Sequence, residues 1–161
     1  MNPLLIKQTS VLSAILGGIL GVLTLIPFVR NFSFMILILC IGAVIIVYMK
    51  KNDLIGIIDV KEGAILGAII GFVSFVAFSI VFVPLVSLVG LIFKGYYTFG
   101  IPYMLGAGFF VMVMLVIFMA ILSALMNSFA GLVTAYIYEI LSGIKKEQKE
   151  QNESIDFEIK E

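Results

Sequence analysis

The chain has 161 residues, of which 62% are hydrophobic and 12% charged, with a mean hydropathy of +1.22 and a formal net charge of zero. A water-soluble domain carries about 25% charged residues and needs them to cover a large surface, so a soluble globular fold is excluded at this length. The balanced charge also argues against nucleic acid, or an acidic substrate, as a partner.

Where the charges fall decides the architecture. No Asp, Glu, Lys or Arg lies between Lys7 and Arg30, Arg30 and Lys50, Glu62 and Lys94, or Lys94 and Glu139. Uncharged apolar runs of about 18 residues or more read as membrane spans. Four of them predict an all-α polytopic membrane protein, a four-transmembrane-helix bundle in a single domain.

In chain order, span 1 is expected over residues 9–29. It is too long for a signal-peptide core and is followed by no convincing cleavage site, so it reads as an uncleaved anchor. Pro27 and the Arg30-Asn31 pair mark a tight connection to span 2, residues 32–49, which closes on Tyr48 and the cations Lys50-Lys51 at headgroup level. Residues 50–62 form a charged loop whose apolar middle, 54–58, is too short to span and is placed along the interface.

Span 3, residues 63–93, would be about 45 Å long as an unbroken helix against a hydrocarbon core of about 30 Å, and Pro84 offers a place to bend or stop. The segment KGYYTFGIPY, 94–103, reads as an interfacial connection rich in aromatic rings. Span 4 follows over 104–138, about 50 Å of helix and again more than a straight crossing needs. The transmembrane domain is therefore 1–142, and residues 143–161 form a charged cytoplasmic tail, either a helix extension or disordered.

With four crossings, Lys7, Lys50, Lys51, Lys61, Lys145, Lys146, Lys149 and Lys160 share one side, while Arg30 and Lys94 lie on the other. The excess of basic residues marks the cytoplasmic side, so both termini are expected there. Compact loops and the uncleaved start make the bacterial plasma (inner) membrane the default location.

Three groups of small or polar residues stand out. Span 1 carries Gly17, Gly18 and Gly21, and span 3 opens on Gly63, Gly67 and Gly71, spacings that let helix backbones approach closely. Span 4 carries a stripe of Ala120, Ser123, Ala124, Asn127, Ser128, Gly131, Thr134 and Ala135, opposite a bulky face of Ile, Leu, Met, Phe and Tyr side chains. The stripe is expected to face protein or a polar cavity. Asn127 is the sharpest single residue, since a carboxamide at membrane depth needs hydrogen-bond partners. It reads either as glue between helices or as part of a permeation or binding path.

Chemistry has little to work with. Histidine is absent, no acid lies well inside any span, and HExxH, GxSxG and phosphate-cradling glycine motifs are all missing. The lone Cys40 reads as a small hydrophobe, and the run Met112, Met114, Met119, Met126 as packing filler with no Cys or His nearby to help hold copper. No enzyme activity, cofactor or metal is expected. Ion-coupled exchange by a single copy is also disfavoured, because it generally uses an ionisable group at mid-membrane.

Two readings follow. The first is a non-enzymatic accessory or scaffold component acting through helix packing, with the lipid bilayer and a homo-oligomer or membrane-protein partner as its contacts. The second is a subunit of an oligomeric channel or permease using the face marked by Ser123, Asn127, Gly131 and Thr134, with the span 3 glycines.

Overall fold

A computed structural model describes residues 3–56, 58–92 and 107–158. Four long helices make up the described chain: α1 (Pro3–Leu23), α2 (Pro27–Lys51), α3 (Val60–Ile92) and α4 (Ala107–Glu158). Each is long and apolar enough to cross a membrane, which bears out a helical, multi-pass architecture. The expected 94–103 connection, the first residues of span 4, and the final residues 159–161 lie outside the described residues.

Helix boundaries differ from the sequence expectation for identifiable reasons. Pro27 does not end the first helix; it occupies the first turn of α2, where its missing N–H is no loss and its fixed φ suits the helix. Arg30 and Asn31 therefore lie within α2, and the turn between helices falls at Thr24–Ile26, where Thr24 Oγ1 donates to the Leu20 carbonyl at 2.6 Å. At its far end α2 stops on Lys50 and Lys51, cations that complement the helix dipole. Asn52 Nδ2 donates to the Tyr48 carbonyl at 2.8 Å, and Asp53 takes a left-handed conformation (φ 53°) that turns the chain away. Pro84 does not terminate α3, which runs on to Ile92. The last helix runs past the apolar segment: α4 has 52 residues, about 78 Å at 1.5 Å per residue, and carries the charged tail to Glu158 as a helix extension, one of the two alternatives expected for it.

The helices alternate in direction. Along α3 and α4, Gly63 meets Gly131 and Ala135, Gly67 meets Asn127, and Gly71 meets Ser123, an antiparallel register. Gly17 meets Ser74 and Gly21 meets Phe78, so α1 and α3 run parallel. Ser123 reaches Leu37 and Asn127 reaches Gly42, which makes α2 parallel to α4. α3 sits between α1 and α4, which scarcely meet, and α2 lies across all three.

The core forms where α2 covers that row. Leu37, Ile41, Ile45, Ile46 and Met49 of α2 are buried with Leu66, Ile70, Phe75 and Phe78 of α3 and Ala120 of α4. Phe34, Phe78 and Phe82 form an aromatic cluster, with Phe34 edge-on to Phe78 at 5.1 Å and Phe78 stacked on Phe82 at 5.1 Å between centroids. The outer faces are equally apolar. Phe110, Phe118, Leu125 and Phe129 on α4, and Ile80 on α3, are each at least 65% exposed, as lipid-facing side chains would be.

Candidate functional site

The most organised polar site centres on Asn127, and it depends on an irregularity in α2 that the sequence conceals. Residues Ile36–Cys40 form a π turn, in which the Ile41 N–H reaches back five residues to the Ile36 carbonyl. Such a turn disrupts the regular i→i−4 ladder and leaves backbone groups to be satisfied from outside.

Asn127 supplies what is missing. Its Oδ1 accepts the Gly42 N–H at 2.7 Å, while Nδ2 lies 3.1 Å from the Leu37 carbonyl and 3.0 Å from that of Ile38. The carboxamide thus bridges the π turn, donating to carbonyls of Leu37 and Ile38 and accepting the Gly42 N–H. Nδ2 also lies 2.9 Å from the Ser123 carbonyl and 3.2 Å from Ser123 Oγ. With two hydrogens and four acceptors, the amide shares its donors among them. Ser123 Oγ in turn reaches the Leu37 carbonyl at 3.2 Å and the Gly71 carbonyl at 3.1 Å, which ties α3 into the same network. Both Asn127 and Ser123 are fully buried.

The glycines allow this approach. A Cβ on Gly67 would collide with the Asn127 carbonyl oxygen; one on Gly71 would stand 2.5 Å from the Ser123 carbonyl and 2.8 Å from Asn127 Cβ. Gly131 abuts the Gly63 carbonyl in the same way, and Gly63 would meet Ala135 at 2.5 Å. Gly42, on α2, would meet the Asn127 carbonyl and Oδ1 at 3.0 Å. Thr134 is turned back on its own helix, its hydroxyl donating to the Ala130 carbonyl at 2.7 Å. Gly17 and Gly21 stand apart from this cluster, at the α1–α3 contact, where a Cβ on Gly17 would strike the Ser74 carbonyl.

Of the residues singled out from sequence, Gly63, Gly67, Gly71, Ser123, Asn127 and Gly131 are therefore brought together between α3 and α4. Gly17 and Gly21 form a second seam and Thr134 bonds only locally. Sequence reasoning missed Gly42 and the π turn. It also missed how far the α1 seam extends: Thr9, Ser13, Gly17 and Gly21 are buried at four-residue intervals. Thr9 Oγ1 lies 3.4 Å from Met49 Sδ, and Ser13 Oγ donates to the Thr9 carbonyl at 2.6 Å. Ser33, buried on α2, carries the one buried side-chain polar atom without a hydrogen-bond partner among the described residues.

Chemically the Asn127 site is a set of neutral donors and acceptors that satisfy one another. It contains no nucleophile activated by a base and no charged group. Compared with known protein families, curated proteins and solved structures, the chain matches none.

Proposed function

We propose that this chain is a non-enzymatic multi-pass membrane protein, with both termini cytoplasmic, that serves as an accessory or scaffold component through helix packing. The observation that carries this reading is the Asn127 network: the side chains best suited to line a pore are fully buried and bonded to backbone groups of their own bundle. A residue lining a wet path keeps part of its hydrogen-bonding capacity for water or a permeating solute. The excess of Lys on the loop and tail side supports the orientation.

The π turn favours a second reading, because such turns recur at functional sites. In that reading the α4 stripe belongs to a channel or permease subunit, and Asn127 changes partners during transport.

Cysteine introduced at 123, 127 or 131 in a Cys40→Ala background separates the two. Under the packing reading all three positions stay protected from a membrane-impermeant thiol reagent in intact vesicles. Reaction at any of them in folded protein overturns it in favour of the pore. A reporter fused after Glu161 tests the orientation and is expected on the cytoplasmic side.

A further inference from the structure

We propose that the cytoplasmic end of the bundle holds the headgroup of a phospholipid bearing both a phosphate and a primary ammonium group. This rests on the membrane reading above and assigns a ligand class to a cavity that the reading does not use.

The cavity, about 260 Å³, lies between the α2–α3 connection and the last apolar turn of α4. It is lined by Lys50, Gly56, Ile58, Tyr138, Glu139, Leu141 and Ser142. Its volume is small for an organic cofactor, for which pockets run from about 300 Å³ upward, and its position at the helix ends places it at headgroup depth. One wall offers a cation, the opposite helix an anion, and both add hydroxyl-bearing or apolar neighbours.

Three of the polar groups, Lys50, Ser142 and Glu139, have a defined part. Lys50 Nζ donates one hydrogen bond to the Gly56 carbonyl at 2.7 Å, which pins the connection and leaves two further N–H donors for a phosphate oxygen. Ser142 Oγ donates to the Glu139 carbonyl at 2.8 Å, so its oxygen presents a lone pair toward further donors. The Glu139 carboxylate is an acceptor-only group that suits the three N–H donors of a primary ammonium. A quaternary ammonium has no N–H to give it, and a purely anionic headgroup would meet Glu139 as a like charge. Below the headgroup, the acyl chains would run along the exposed apolar positions Ile137 and Val133. Opposite charges facing one cavity at this depth therefore select a zwitterionic aminophospholipid.

The test uses the full chain reconstituted into vesicles of equal parts phosphatidylethanolamine, phosphatidylglycerol and phosphatidylcholine, re-extracted in mild detergent and weighed by native mass spectrometry. Retained phosphatidylethanolamine is expected to exceed each of the others about tenfold, as one charge-assisted hydrogen bond would give. Glu139→Gln should abolish the preference while keeping bound lipid, whereas Lys50→Gln should lower retention of all three. Equal retention of the three lipids by wild-type protein overturns the proposal, as does a preference unchanged in both variants. Displacement by free O-phosphoethanolamine as readily as by the lipid would assign the cavity to a soluble ligand and also overturn it. Alkaline carbonate extraction of the protein from the vesicles would overturn the membrane reading itself. Carbonate-resistant protein without lipid selectivity leaves that reading standing and removes only this one.

Discussion

Replacing Asn127 with Ala removes the amide that completes the α2 ladder. Three interactions can be satisfied at once: the Gly42 N–H to Oδ1 at 2.7 Å, and two donated by Nδ2 to the carbonyls of Leu37, Ile38 or Ser123 at 2.9–3.1 Å. At about 0.6–1 kcal/mol each, the range for hydrogen bonds between membrane helices and in proteins generally, their loss amounts to about 2–3 kcal/mol. The truncation also strands the Gly42 N–H in an apolar interior, which pushes the cost toward the upper end. Simple relaxation of α2 to a regular helix offers no escape. It would rotate the half carrying Ile41, Ile45, Ile46 and Met49, all buried, against the half anchored at Ser33 and Leu37. Reversible unfolding in mixed micelles, followed by helical circular dichroism, measures the loss. Amide hydrogen exchange at Gly42 reports the local opening, and protection there should fall sharply. A destabilisation under about 0.5 kcal/mol with Gly42 protection unchanged would refute the inserted-amide account, because it would mean the π turn holds without its partner.

Other substitutions separate close approach from mere glycine content. Gly67→Ala should cost about 1–3 kcal/mol, because its Cβ collides with the Asn127 backbone and the two helices must part. Gly18→Ala, whose Cβ would stand 3.7 Å from Val81 Cγ2 in ordinary contact, should change unfolding by less than about 0.5 kcal/mol in the same assay. Serine truncation should reverse sign with position. Ser123→Ala loses the bonds to Leu37 and Gly71 and should cost about 1 kcal/mol, whereas Ser33→Ala removes a buried hydroxyl without a partner and should be neutral or stabilising. In a double-mutant cycle, Ser123→Ala and Asn127→Ala should be non-additive by about 0.5 kcal/mol or more, since the two side chains share the Leu37 carbonyl.

Much of this bundle was legible because lipid and protein ask for different side chains. On α4 the stripe of Ala120, Ser123, Asn127, Gly131 and Ala135 is buried, and Ile121, Leu125, Phe129 and Tyr136 opposite are half or more exposed. The GxxxG spacings likewise marked the seams, since only small residues permit backbone contact there. Helix ends were less legible. Pro27 is compatible with the end of one helix or the start of the next, and only the turn at residues 24–26 decides between them. The π turn left no mark in composition, because ILILC is uniformly apolar and carries no glycine or proline. The pattern that accompanies it is visible only in the structure. Ser33, Leu37, Ile41, Ile45 and Met49 are buried at strict four-residue intervals. In a regular α-helix, positions four apart drift about 40° per step, and the π turn offsets part of that drift along α2.

The π turn connects the fold to the function proposed for it. α2 opens a π turn at Ile36–Cys40, and Asn127 closes it from α4. The polar residues at the centre are thereby drawn into holding α2, α3 and α4 in one register. Little of their hydrogen-bonding capacity is left to present to a solute. Under the proposed reading, a partner would meet the outer wall, dominated by the bulky side chains of α4, and the long helix that carries the charged tail beyond the apolar segment. Under the proposed scaffold reading, association would therefore depend on the outer wall and not on the Asn127 network. Loosening the interior through Asn127 should weaken partner capture only as far as it weakens the bundle. A substitution on the exposed wall, such as Phe129→Ala, should alter association while unfolding stability stays unchanged.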